Sequence, residues 1–190
     1  MHPIAVAPYL GGMVSRRASL GLVALLVVGL TGCTGAPAPD PSGSPSPAAT
    51  GFASEEEAFA AAEETYRAYN AAVNAYNSGD TSVDPLDYLS GGVRETDASI
   101  RQQAEDAGLR FEGETTVRSV DPQEVTTVAG LTDVVLNVCL DDTNLRLINA
   151  DGEDVTLADA PKIYSLGITM SGRAADSLRI VESRMLGEQC

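Results

Sequence analysis

The feature that most constrains the fold is a change of hydrophobic period near the middle of the chain. Between residues 59 and 76, apolar side chains recur every three or four positions, as one face of an α-helix requires. The stripe consists of Phe59, Ala62, Tyr66, Tyr69, Val73 and Tyr76. After about residue 110 the period becomes two, which is typical of strands with one buried face. This order predicts an α+β domain, with the long helix packed on one face of an antiparallel sheet.

The long helix carries sequence signals at both ends. Ser54 and Glu57 have the spacing of a capping box, in which Ser54 accepts a hydrogen bond from the Glu57 amide and Glu57 returns one. Gly79 predicts the C-terminal end. After it we expect a short helical turn over residues 85–89, a break at Gly91-Gly92, and a second helix from about Thr96 to Ala107.

The second half of the chain predicts four to five strands. Asp151-Gly152 is a tight hairpin signal. The expected strands span residues 111–120, 125–140 as one strand or two, 164–170 and 178–185. The clearest core-facing positions are Val134, Leu136, Val138, Leu140, Tyr164, Leu166, Ile168 and Met170. Leu145 and Leu147 are expected to point inward on a further strand.

Element order and two loose motifs carry a resemblance to a known superfamily. The motifs are Gly108–Gly113 and the run from Val138–Asp141 to Asn149–Gly152. With a long first helix, short further helices and a curved antiparallel sheet, residues 54–190 resemble nuclear-transport-factor-2-like (SnoaL-like, cystatin-type cone) domains of small secreted lipoproteins from Gram-positive bacteria. The resemblance implies one cone-like domain. The wider superfamily includes isomerases, dehydratases, cyclases and non-catalytic binding or dimerising modules.

Residues 1–32 have the organisation of an export signal. Arg16 and Arg17 precede an uncharged apolar run, residues 20–30, which is too short for a spanning helix. The run ends in Leu30-Thr31-Gly32-Cys33, which resembles a lipobox. It predicts cleavage between Gly32 and Cys33 and attachment of a diacylglyceryl group to Cys33. The other interpretation is plain cleavage that leaves a free cysteine. Sec and twin-arginine export both remain open.

The composition of the chain after residue 32 limits the partners and the location that we expect for it. Residues 33–53, rich in Pro, Ser and Ala, predict a disordered linker behind the lipidated cysteine. Without residues 1–32, the chain has 27 acidic and 10 basic residues, a net charge of −17. This charge disfavours binding to nucleic acid and adsorption to anionic lipid. We therefore expect a protein on the outside of the cell membrane, held to the bilayer by its Cys33 anchor.

Two cysteines remain after lipidation. Cys139 and Cys190 would lie in an oxidising compartment, where disulfides persist. We expect a Cys139–Cys190 bridge that restrains the C-terminal residues; the alternative is two separate thiols.

The catalytic inventory of the exported chain is small. The single histidine, His2, lies in the signal segment, so serine or cysteine catalysis through a histidine base is excluded. Tyrosine and carboxylate groups remain, and some cone-fold isomerases use those types. The candidate pocket consists of Tyr66, Tyr69, Tyr76 and Asp133. The competing interpretation makes the tyrosines a core stripe and Asp133 a strand-end residue.

Two sets of charged residues each allow two interpretations, one structural and one functional. Five acids flank the hairpin at Gly152, and they indicate either a solvated loop or a calcium site: Asp141, Asp142, Asp151, Glu153 and Asp154. Strand alternation places Arg118, Arg146 and Arg179 away from the core, on either a solvated face or an interface. The partner there would be a second copy or another envelope protein.

These observations favour a non-enzymatic envelope lipoprotein with no cofactor and no metal. Its domain would bind a small apolar or amphiphilic ligand, or contact another protein. The alternative is a histidine-free isomerase- or cyclase-like enzyme that uses Asp and Tyr. An open pocket with two or more converging carboxylate or tyrosine groups would favour the enzyme. A filled or wholly apolar interior would favour the binding or structural role.

Overall fold

The computed structural model describes residues 51–187, 189 and 190. The first helix, α1, spans Glu55–Asn77, and its N-terminal cap differs from a capping box in one bond. The Ser54 hydroxyl accepts from the Glu57 amide at 3.1 Å, as expected, but the Glu57 carboxylate accepts from the Ala53 amide at 2.6 Å. At the other end, Gly79 has φ +90° and donates to the Tyr76 carbonyl, so a left-handed residue closes the helix.

The second helix, α2, begins earlier than the glycine pair suggests. A 3-10 turn covers Pro85–Tyr88, and α2 spans Gly91–Asp106, so the expected start near Thr96 is wrong. Ser90 is the extended N-cap residue, and its amide donates to the Ile180 carbonyl at 3.0 Å. This bond to the sheet sets the point where the helix begins, and the two glycines form its first turn.

Six strands follow, and all paired strands are antiparallel. They are β1 Arg110–Glu112, β2 Thr116–Val128, β3 Leu131–Asp141, β4 Arg146–Ile148, β5 Ile163–Gly172 and β6 Arg179–Gly187. A four-stranded sheet has the order β2-β3-β5-β6, and β1 and β4 form a separate two-stranded sheet. The fold is therefore α+β, with helices on a curved antiparallel sheet, as the change of period predicts.

Two strand boundaries depend on glycine. The expected strand 111–120 is two elements, because Gly113 has φ +97° and separates β1 from β2. The stretch 125–140 contains parts of two strands, which turn at Ala129 and Gly130, both with positive φ as a two-residue hairpin requires. Pro122 lies inside β2, where an edge strand and an adjacent bulge tolerate its missing N–H.

The core lies between α1 and one face of the four-stranded sheet. Val134, Leu136 and Val138 are fully buried on β3, and the predicted alternation on β3 and β5 is confirmed. Ala58 and Ala62 are the closely packed positions of α1. Phe52 also packs against this core, so the folded part includes a residue that composition assigned to the linker.

The predicted disulfide is present. Cys139 and Cys190 are bonded, with their Cα atoms 5.8 Å apart. Cys139 lies between Val138 and Leu140, which face the core, so the bond is on the outer face of the sheet.

The predicted export signal and lipid anchor belong to residues that the structure does not describe. Gly32, Cys33 and the linker up to residue 50 lie outside the described residues. Among the residues that are described, no helix is both long and apolar enough to cross a bilayer.

Candidate functional site

A cavity of about 180 Å³ lies between α1, the start of α2 and the core face of the sheet. Its apolar wall includes Val73, Leu140, Leu166, Ile168 and Ile180. An engineered protein cavity of about 150 Å³ holds a benzene molecule. The space therefore fits a single ring or a short aliphatic chain.

Tyrosine side chains provide the polar part of this wall. Tyr66 and Tyr69 come from α1, one turn apart, with ring centroids separated by 5.9 Å, and Tyr164 comes from β5. Tyr66 is only 2% exposed. Within the described part of the chain, the tyrosine hydroxyls that hydrogen-bond to protein are those of Tyr76 and Tyr164. The hydroxyls of Tyr66 and Tyr69 thus have their hydrogen-bonding capacity free for a molecule in the cavity.

A carboxylate is bonded to the third tyrosine. The Tyr164 hydroxyl donates to Asp142 Oδ2 at 2.9 Å. The other oxygen, Asp142 Oδ1, is buried and has no hydrogen-bond partner among the described residues. A buried acceptor without a donor destabilises the protein by about 1–3 kcal/mol.

A larger chamber of about 910 Å³ adjoins the cavity and shares Tyr69, Val73, Thr115 and Tyr164 with it. Its wall also includes residues from the C-terminal half of α1, from α2 and from β1, and Asp142 is one of its lining residues. The two spaces are therefore neighbours with part of their wall in common.

Two asparagines of α1 hold the chain at the boundary between the two chambers. The side-chain amides of Asn70 and Asn74 both donate to the Thr115 carbonyl at 2.9 Å, and the Thr115 amide donates back to Asn74 at 3.0 Å. Thr115 is in the irregular segment between β1 and β2. These bonds fix the position of that segment against α1.

Burial controls the protonation of the pocket tyrosines. Desolvation raises the pKa of Tyr66 far above its ordinary value, and the neighbouring Tyr69, Tyr164 and Asp142 add to the rise. Burial also raises the pKa of Tyr69 to about 12. The pKa of Tyr164 rises through burial and then through the Asp142 charge. All three phenols are therefore neutral hydrogen-bonding groups at physiological pH, and none is a base.

These pKa shifts predict alkaline destabilisation. Unfolded tyrosine loses its proton near pH 10, whereas the folded protein keeps it, so the unfolded state binds fewer protons and stability falls as pH rises. Each shifted tyrosine should lower the free energy of unfolding by about 1.4 kcal/mol per pH unit above pH 10. Urea unfolding between pH 8 and 11 measures this slope. Tyr66→Phe should reduce this slope above pH 10 by the contribution of one tyrosine, about 1.4 kcal/mol per pH unit. Below pH 9, the free energy of unfolding of the variant should run parallel to that of wild type. A slope above pH 10 that Tyr66→Phe leaves unchanged would contradict the raised pKa of Tyr66.

The structure brings together only part of the predicted pocket. Tyr66 and Tyr69 line the inner cavity. Tyr76 lies in the outer chamber, where its hydroxyl donates to Glu105 at 2.8 Å and the Arg101 guanidinium lies 4.7 Å from its ring centroid. Asp133 does not join them. It is exposed on the opposite sheet face, because its neighbours Thr132 and Val134 face the core.

Asp142 takes the place expected of Asp133, and sequence analysis missed its pairing with Tyr164. From the sequence, Asp142 is one of the acids that flank the hairpin, and Tyr164 is a predicted core position. The missing information was the register that pairs Leu140 with Tyr164 and leaves Asp142 just beyond the end of β3. Alternation within one strand contains no such information.

The three arginines do not form one surface. Arg118 is at a bulge in β2, 4.0 Å from Asp141. Arg146 belongs to β4 in the two-stranded sheet and pairs with Glu112 at 3.2 Å. Arg179 donates to backbone carbonyls at the start of β6. The expectation that one sheet face presents all three is wrong, because the topology divides them between two sheets.

The acids near the Gly152 turn bond to the local backbone instead of converging. Asp141 accepts from the Thr143 amide and Asp154 from the Thr156 amide, each at 2.9 Å. Hydrogen bonding from the side chain of the threonine, and then from its amide, lowers the pKa of each carboxyl. Glu153 accepts from the Asn149 side chain. In the described ranges, no group of three or more His, Cys, Asp or Glu side chains is placed to hold a metal ion.

Comparison with known proteins identifies no family for this chain. No family model and no curated protein matches the chain. Among solved structures, it is similar to the intermembrane space region of the chloroplast protein ARC6, with 14% identity and a TM-score of 0.40. The match covers 72% of this chain and 98% of that one. A likeness of this size supports no conclusion about function.

Proposed function

We propose that the chain is an extracytoplasmic lipoprotein whose α+β domain binds a small ligand with an apolar body and a polar group. The observation that carries the proposal is the cavity between α1 and the sheet. Its wall combines aliphatic side chains with tyrosines, and the hydroxyls of Tyr66 and Tyr69 lack protein partners among the described residues. Pockets that bind small molecules combine a mostly apolar lining with a few placed polar groups.

Native mass spectrometry of the protein purified from its own membranes tests the binding role. We expect a retained small molecule that dissociates on activation. Val73→Phe should remove it, because Val73 lines both chambers and a larger side chain there blocks the passage. Ala71→Phe is the matched control, since Ala71 is an exposed residue of the same helix. Equal ligand retention in wild type and Val73→Phe would remove the cavity as the binding site.

Membrane attachment is tested at Cys33. The Cys33→Ala variant should incorporate no labelled palmitate and should leave the membrane fraction, because two acyl chains are needed for stable anchoring and the acidic chain has little attraction to anionic lipid. Cys139→Ser, which keeps the lipobox, should still be acylated. Persistent acylation and sedimentation of Cys33→Ala with membranes would contradict the proposed anchor.

A specific observation also supports the enzymatic alternative. Tyr69, Tyr164 and Asp142 line the larger chamber together, and an open pocket with two or more such groups is the condition stated above for an enzyme. The neutral phenols can donate hydrogen bonds to a developing oxyanion, and Asp142 is the carboxylate among these groups. In this second candidate function, Asp142 is the base and Tyr164 orients it.

The identity of the retained molecule separates the two functions. An enzyme should hold different masses or isomers in wild type and in Asp142→Asn, because the variant binds substrate without converting it. A binding protein should hold the same molecule in both. Chromatography of the released ligand resolves isomers that have equal mass, and identical profiles would count against catalysis by Asp142.

A further inference from the structure

We infer that two copies of this chain pair through their β6 strands, antiparallel and in the register that sets Ser183 opposite Ser183 of the second copy. The two four-stranded sheets would then form one continuous sheet. The inference goes beyond the proposed binding function and does not depend on a ligand. It is carried by an open edge of the sheet, by the exposure of consecutive strand residues and by the order of charges along β6.

The open edge belongs to β6, which ends the strand order β2-β3-β5-β6. At the start of the strand, this edge accepts one bond, from the Ser90 amide to the Ile180 carbonyl. After Ile180, no described residue outside β5 makes a backbone hydrogen bond to β6. Unpaired N–H and C=O groups along such an edge are a template for another strand.

The opposite edge of the sheet is less suited to pairing. β2 contains Pro122, which has no N–H to donate, next to a bulge. β6 contains no proline, and between its two bulges Glu182–Met185 pairs regularly with β5. A regular stretch keeps the spacing of donors and acceptors that a second strand needs.

Six consecutive residues of β6 are exposed, from Val181 to Leu186. Successive side chains of a strand point to opposite faces, so both faces of this stretch are accessible. Met185, which lies opposite Leu166 on the helix side of the sheet, is 54% exposed. In the inferred register, Val181 lies opposite Met185 of the second copy, and pairing removes apolar surface of both from water.

The order of charges along β6 selects the register. In a two-fold antiparallel pair, the residue at the axis meets its own copy, and residues at equal distances before and after it meet each other. An axis at Ser183 sets Glu182 opposite Arg184 of the second copy, twice. An axis at Glu182 or at Arg184 sets like charges opposite each other. Opposite charges in facing positions stabilise a strand pair, whereas like charges destabilise it.

Both charged side chains are available for this contact. Glu182 and Arg184 lie on the same face of β6, with Glu182 Oε1 3.9 Å from Arg184 Nε, and their side chains are 60% and 62% exposed. The pair within one chain is therefore loose. A second copy would add an oppositely charged neighbour to each of them.

Sedimentation equilibrium of the full chain, purified from its own membranes in density-matched detergent, tests the pairing. We expect a monomer–dimer equilibrium. Glu182→Arg changes both cross-strand pairs into contacts between like charges and should weaken the dimer about tenfold. The double variant Glu182→Arg/Arg184→Glu restores opposite charges and should recover wild-type dimerisation. Glu124→Arg is the matched control, since it makes the same change of net charge on the exposed edge strand β2.

Single cysteines test the register in intact membranes. Residues directly opposite in an antiparallel pair have Cα atoms about 4.5–5.5 Å apart, which is within the reach of a disulfide. Ser183→Cys should therefore give a disulfide-linked dimer on a non-reducing gel. Glu182→Cys should link to co-expressed Arg184→Cys chains and not to itself. An equal circular dichroism spectrum and melting temperature establish that each variant is folded.

Two results would overturn the inference. One is the absence of a Ser183→Cys cross-link in membranes. The other is a dimer that Glu182→Arg and Glu124→Arg weaken equally, because the contact would then lie on another surface. Neither result bears on the cavity, which ligand retention tests separately.

Discussion

Replacing Cys139 and Cys190 together with serine should lower the free energy of unfolding by about 4 kcal/mol, the value of the loop-entropy model for a bridge across 51 residues. The bond ties the residues after β6 to β3, an inner strand of the four-stranded sheet. Without it, the unfolded chain gains conformational freedom and β6 loses its restraint. Small domains commonly have stabilities of about 5–15 kcal/mol, so the loss is a large share.

Urea unfolding of the double variant measures this effect. A reducing agent should destabilise the wild-type protein by a similar amount and leave the double variant unchanged, which separates loss of the bond from the presence of serine. In the native protein, neither cysteine should react with an alkylating reagent until the disulfide is reduced. A loss below about 1 kcal/mol would show that the bridge contributes little beyond covalent attachment.

Gly113→Ala should be nearly as destabilising, by about 2–5 kcal/mol, since two effects add. Gly113 has φ +97°, which a residue with a Cβ rarely adopts. A Cβ built there would also lie 1.9 Å from the Asn144 carbonyl oxygen, a backbone atom that cannot rotate away. The segment between β3 and β4 would have to move, and with it the β1–β4 pair beside the outer chamber.

Gly152→Ala is the matched control for the cost of placing a residue with a Cβ in the left-handed backbone conformation. Gly152 has a similar φ of +84°, but no atom lies within 4 Å of the added Cβ. It should destabilise the protein by about 1–2 kcal/mol, the left-handed penalty alone. Thermal unfolding of the two variants isolates the contact with Asn144, and equal losses would mean that the segment moves without difficulty.

Much of the fold was predictable because its causes are local. The stripe on α1, its Ser54 cap and its Gly79 end depend on residues within two turns of one another. Alternation on β3 and β5 likewise comes from neighbouring residues that face opposite sides of one strand. The break at Gly113 was not predictable, because alternation continues through it, and the tertiary structure sets both the positive φ and the approach of Asn144 that disfavour a side chain there.

The candidate site likewise contains some residues that local spacing predicts and others that only the fold brings together. Tyr66 and Tyr69 follow from helical spacing, and the structure places both in the cavity. The sequence suggests Asp133 and not Asp142 for the pocket, because it shows which residues alternate along a strand but not where the adjacent strand ends. That information is in the β3–β5 register, which pairs Leu140 with Tyr164.

The sequence by itself determined the order of helices and strands, the buried faces of α1, β3 and β5, and the two cysteines available for a bridge. Each of these features depends on short-range periodicity or on the number of cysteines in the chain. Only the tertiary structure decided that the disulfide forms, that Arg146 lies on a different sheet from Arg118, and that Asp142 meets Tyr164 at a pocket. These depend on contacts between residues distant along the chain, where register, bulges and close backbone approach act together.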